Sequence, residues 1–101
     1  MIRHIVLWKL DSEYSGTEKA NIMTQLKTML LDLKPKIHEL KSIEVWFNSE
    51  KAGAANFDVM LDTSFGNMDD LDKYRIHPDH LKVAEYLKTL KLQRASIDFE
   101  F

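Results

Sequence analysis

Seven consecutive residues, Tyr74-Arg75-Ile76-His77-Pro78-Asp79-His80, hold two of the chain's four histidines and one of its three tyrosines. An imidazole exchanges a proton near neutral pH, and a phenol donates to an oxygen that gains negative charge. With Pro78 at the first position of a helix, His80 falls near the third. There the helix N-terminus disfavours imidazolium, an effect that Asp79 partly offsets. His80 is thus a candidate general base, and Tyr74, six residues earlier across the proline, its candidate hydrogen-bond donor. His4 shares a strand face with Val6 and Trp8. Such a set suits proton abstraction beside a carbonyl: aldol-type cyclisation, isomerisation or enolisation without a cofactor.

Each of these residues also has a purely structural use. Tyr74 can bury its ring, and a histidine before proline ties down the turn that contains it. His77 reads chiefly as that bracket, although it stands with His4 and Trp8 as a ligand-binding candidate. His38, beyond Pro35, reads as surface. His77 and His80 are three apart with Asp79 adjacent, and His4 would be a third ligand, but a metal centre needs three or four ligands with supporting hydrogen bonds, so no metal is expected. No glycine-rich phosphate loop is present, and no nucleotide cofactor is expected.

The elements that must hold these groups follow from patterning. Met1–Leu10 alternates, with Ile2, His4, Val6, Trp8 and Leu10 on one face and Arg3, Ile5, Leu7 and Lys9 on the other. Both faces are apolar at the centre, which marks a strand covered on both sides. Ser15-Gly16-Thr17-Glu18 has the form of a capping box. Ile22, Met23, Leu26, Met29, Leu30 and Leu33 continue it as one helical stripe ended at Lys34 by Pro35. Strands are expected over Ser42–Asn48, Phe57–Phe65 and Leu92–Phe101, with a mobile loop over Ser49–Asn56. Asn67 caps a short helix over Met68–Ile76, and Pro78 opens a further helical piece to about Leu90, with Leu81, Ala84, Leu87 and Leu90 as its stripe.

The order is β-α-β-β-α-β, an α+β arrangement of the ferredoxin-like kind: a four-stranded antiparallel sheet with its helices on one face. Two helical regions cover only that face. Ile5, Leu7 and Met60 would leave the other apolar, and sheet-to-sheet pairing in a twofold homodimer is the simplest cover.

Composition narrows the function classes. The 101 residues suit one domain, with 45% hydrophobic and 30% charged residues and a net charge of −2. Lysine and arginine are scattered, which argues against nucleic acid. The chain has no cysteine, so disulfides and thiolate chemistry are excluded. No apolar run approaches the ~20 residues of a membrane span, no targeting segment is evident, and a cytoplasmic protein is expected.

The opening Met1-Ile2-Arg3-His4-Ile5-Val6-Leu7-Trp8-Lys9-Leu10, the Tyr74…His77-Pro78-x-His80 segment and the closing Ile97-Asp98-Phe99-Glu100 resemble, in order and spacing, the stress-responsive A/B barrel (Dabb) domain family. The resemblance spans nearly the whole chain. It implies one ferredoxin-like domain over residues 1–101 that forms a dimeric α/β barrel. The family includes stress-associated plant proteins and polyketide cyclases of the olivetolic acid cyclase type. In the cyclase branch a tyrosine and the last histidine of this segment do the acid–base work, and a histidine on the first strand lies in the pocket. The matching positions are Tyr74, His80 and His4. Trp8 stands where the cyclase has a smaller aliphatic group, and the first helix lacks the cyclase's cavity-lining aromatics, so a different or smaller ligand is implied. Two readings therefore stand together. One is a stress-associated protein that binds a small hydrophobic or carbonyl-containing molecule between sheet and helices. The other is a cofactor-independent cyclase, lyase or isomerase with His80 as base and Tyr74 as donor.

Overall fold

A computed structural model describes all residues 1–101. The elements run β1 (Ile2–Leu10), α1 (Gly16–Leu31), β2 (Ser42–Phe47), β3 (Val59–Phe65), α2 (Met68–Ile76), α3 (Pro78–Lys88) and β4 (Leu92–Glu100). The four strands form one antiparallel sheet in the order β2-β3-β1-β4, and this is the ferredoxin-like arrangement expected.

β1 is central, and its alternation decides what each face of the sheet does. Ile2, His4, Val6, Trp8 and Leu10 are buried toward the helices, while Arg3, Ile5, Leu7 and Lys9 face the other way and are half-buried. Antiparallel pairing extends each position into a row. On the helix side, one row runs Ile43, Thr63, His4, Asp98 and another runs Phe47, Val59, Trp8, Arg94. On the open side, Trp46, Met60, Leu7 and Ala95 form an apolar row across all four strands, and Ile5 lies beside Ile97. Trp46 is 58% exposed and Ile97 60%.

Local chemistry explains most boundaries. Ser15 accepts from Glu18 N, and the Glu18 carboxylate accepts from Ser15 N, so the capping box is complete. Asn67 caps α2 by accepting from Asp70 N at 2.8 Å. α1 ends at Leu31, three residues before the expected Lys34. Pro35 has no N–H and restricts Lys34, so the chain tightens into turns that bury Leu33, Ile37 and Leu40. β3 begins at Val59, not Phe57. The Asp58 carboxylate takes the Leu10 N–H at 2.7 Å, where a ladder carbonyl would otherwise stand.

One stripe differs from the expectation. In α3, Val83 is buried and Ala84 and Leu87 are half-buried, but Leu81 is 48% exposed. The phase is set at the helix start: once His80 faces the sheet, Val83, Ala84 and Leu87 follow at helical spacing and Leu81 is turned about 100° away. In β2 only Val45 is fully buried; Phe47 lies at the margin with the Lys27 ammonium 5.4 Å from its ring centre. The loop after β2 is tethered by Lys9, whose Nζ donates to the carbonyls of Ala54, Ala55 and Asn56 at 2.8 to 3.4 Å. No helix is long and apolar enough to cross a membrane.

Candidate functional site

A pocket of about 300 Å³ opens between the helix side of the sheet and α3. That is near the lower end of the range for small-molecule sites, roughly 300–1,000 Å³. Val6 and Trp8 of β1, Leu61 of β3, Leu30 of α1 and Val83, Ala84 and Leu87 of α3 make its wall largely apolar. Four groups in the lining carry or can carry positive charge: His4, His80, Lys88 and Arg94.

Both imidazoles are held in one tautomer. The Nδ1 of His4 hydrogen-bonds a carboxylate oxygen of Asp98, its neighbour across the β1–β4 ladder. The other oxygen of Asp98 accepts from Arg75 Nη2 at 2.8 Å. The Nδ1 of His80 lies 3.0 Å from the Arg75 carbonyl oxygen. A carboxylate and a carbonyl only accept, so in each ring Nδ1 carries the hydrogen. Nε2 of each is left as the atom with a free lone pair. Arg75 thus serves both rings, through its side chain by way of Asp98 and through its backbone directly.

Burial lowers the pKa of His4 from its ordinary 6.5; the hydrogen bond and charge of Asp98 oppose the shift without cancelling it. Burial lowers His80 in the same way, the positive charges of Arg75 and Arg94 add to it, and the bond to the Arg75 carbonyl opposes it. Both are therefore neutral at pH 7. Burial pushes the Asp98 carboxyl up, but the His4 hydrogen bond and the Arg75 guanidinium outweigh it and hold the group below its ordinary 3.8.

Of the five residues expected at a site, His4, Trp8 and His80 line the pocket, whereas Tyr74 and His77 do not. Tyr74 is 0% exposed, and its hydroxyl is buried without a partner in the chain. Its ring lies behind His80 with centres 4.4 Å apart, and it also meets Phe65 at 5.0 Å and the edge of His4 at 6.4 Å. Burial holds its pKa well above the ordinary 10.0. In this position Tyr74 supports the two imidazoles. His77 is the N-cap of α3: its Nδ1 accepts from Asp79 N at 3.1 Å. No group of three or more His, Asp or Glu side chains is placed to hold a metal ion.

Sequence reasoning missed Asp98, Arg75, Arg94 and Lys88. Asp98 and Arg94 were visible as alternate residues of a strand, but only the register of that strand against β1 puts one beside His4 and the other beside Trp8.

The chain matches the family model for the Stress Responsive A/B Barrel Domain over residues 2–101. It is 26% identical over 100 residues to the stress-response A/B barrel domain-containing protein DABB1 of Arabidopsis thaliana. That match covers 98% of this chain but 46% of the relative, so the chain spans just under half of the plant protein's length. Among solved structures it is similar to a dimeric protein of unknown function with a ferredoxin-like fold from Bacteroides fragilis. The identity is 33% and the TM-score 0.90, covering 99% of this chain and 95% of the other. A dimeric ferredoxin-like protein of unknown function from Thermobifida fusca is 25% identical with a TM-score of 0.82, covering 99% and 90%. The sheet, its helices and the match along all but the first residue agree: this chain belongs to the stress-responsive A/B barrel domain family.

Proposed function

We propose that the chain binds a small, largely apolar molecule in the pocket between sheet and α3, and that His4 and His80 engage a polar group on it. The observation that carries this reading is the pair of imidazoles. Both line an apolar cavity, both have Nδ1 occupied, and both keep Nε2 free. A neutral Nε2 accepts a hydrogen, so the matching group is a hydroxyl or an acidic C–H beside a carbonyl. The test is a thermal shift with 2-acetonaphthone, a neutral ketone with an aromatic body, on the wild type and on Ala84→Trp, which fills the cavity. A rise in Tm for the wild type alone is expected. No rise with either the ketone or its carboxylate analogue 2-naphthoate, or an equal rise in both proteins, rejects the reading.

A second reading, proton transfer at the same place, is favoured by the His4–Asp98–Arg75 chain. A carboxylate on the far nitrogen of an imidazole steadies the cation that forms when the ring takes a proton. His80 Nε2, or His4 Nε2 backed by Asp98, would remove a proton beside a carbonyl and return it. Tyr74 supplies no donor here, since its hydroxyl is shut away from the cavity. Deuterium uptake at the methyl group of 2-acetonaphthone, followed by proton NMR, measures that step. Background-level uptake by the wild type would leave binding alone.

The open side of the sheet is the proposed homodimer surface. Trp46, Met60, Leu7 and Ala95 with Ile5 and Ile97 make a continuous apolar area of the kind that a second copy covers by twofold pairing.

A further inference from the structure

We infer that the pocket's ligand is an anion, namely an amphipathic monocarboxylate whose acid group sits on Arg94. The inference rests on the binding reading above and adds the charge of the occupant.

The chain has three arginines. Arg3 pairs with Asp62 at 3.4 Å, and Arg75 pairs with Asp98 and Asp72 at 2.8 and 3.2 Å. Arg94 has no carboxylate partner; its one side-chain hydrogen bond goes to the hydroxyl of Ser96 at 3.2 Å. It nevertheless lines the pocket, beside Trp8 in the sheet. The bond to Ser96 shows which way the side chain leans. Ser96 lies opposite Val6, so the guanidinium is drawn along the strand from the Trp8 row toward the His4 row. Its charge is felt at both imidazoles.

Nothing in the lining neutralises it. The twelve lining residues include no aspartate or glutamate. Asp98, the acid nearest in the ladder, is already shared between His4 and Arg75. Lys88, also in the lining, adds a second cation, itself partly occupied by Glu85 at 3.3 Å. A guanidinium with free donors at the edge of an apolar cavity matches a carboxylate, which it grips through two parallel hydrogen bonds. The apolar wall takes a hydrocarbon body, and the two Nε2 atoms take a hydrogen from the far end of it. A neutral ligand would leave the guanidinium without a counter-charge.

The test uses Trp8 as reporter. The chain has two tryptophans, and the second, Trp46, lies on the opposite side of the sheet. In a Trp46→Phe background, quenching of Trp8 is titrated with 2-naphthoate and with 2-acetonaphthone, bodies of equal shape that differ in charge. The naphthoate is expected to bind at least about tenfold more tightly, the order of one charge-assisted contact. Arg94→Gln should weaken naphthoate about tenfold and leave the ketone within about twofold, and Arg94→Lys should restore part of the loss. Equal affinities, or an Arg94→Gln effect that falls on both probes alike, overturn the anion inference while the pocket reading stands. If neither probe quenches Trp8, the binding reading fails and the anion inference fails with it.

Discussion

Tyr74 and His80 show how residue type and residue role come apart. Both were legible as chemistry, but burial sorts them: His80 reaches the cavity and Tyr74 lies behind it. A buried hydroxyl without a partner in the chain costs about 1–3 kcal/mol. Tyr74→Phe should therefore hold or raise stability, by up to about 1 kcal/mol in urea denaturation, and leave deuterium uptake by the ketone unchanged. Lost uptake with intact stability would restore Tyr74 as the donor. The histidines predict a pH dependence as well. Their folded pKa values lie below the ordinary 6.5, so below that pH the unfolded chain binds more protons. Stability then falls as pH drops from about 6.5, and the low pKa of Asp98 extends the loss below its ordinary 3.8. His80→Gln should flatten the slope of unfolding free energy against pH between about 6.5 and 5. An unchanged slope would mean that the ring is not desolvated.

At the scale of elements, caps and strand alternation were readable because they are local. Ser15 with Glu18, and Asn67, fix helix starts through bonds within three residues, Pro78 fixes a third through its locked φ, and all three starts stand where the sequence puts them. Helix phase was less readable. Leu81 and Val83 are equally apolar, and only the seating of His80 against the sheet decides that Val83 goes inward. Ladder register was not readable at all, and it is what joins Asp98 to His4 and Arg94 to Trp8. His77 belongs to this scale as the cap that starts α3 and so aims His80. His77→Ala should cost about 1 kcal/mol in thermal or urea unfolding, as lost N-caps do, with no direct loss of a ligand contact. A drop in ketone affinity with unchanged stability would contradict the capping role.

For the whole molecule, the open sheet face sets the expectation. Its apolar row crosses four strands, and the similar solved proteins from Bacteroides fragilis and Thermobifida fusca are described as dimers. Ile97→Asp should convert a dimer mass to a monomer mass in sedimentation at micromolar concentration, since a charge opposite Ile5 would be desolvated in the interface. A wild-type chain that sediments as a monomer would remove the dimer proposal and leave the pocket untouched.

β1 belongs to both surfaces at once. Its even-numbered residues look into the cavity side and its odd-numbered ones onto the open face. The strand therefore obeys a parity rule. In a saturation scan of positions 3 to 8, substitutions at 4, 6 and 8 should lower affinity for the naphthyl probes, whereas those at 5 and 7 should weaken self-association. A one-residue insertion inside the strand reverses the parity of everything beyond it and should abolish both properties together. The proposed ligand recognition and self-association would thus be free to change by substitution independently of each other, but not by a shift in length.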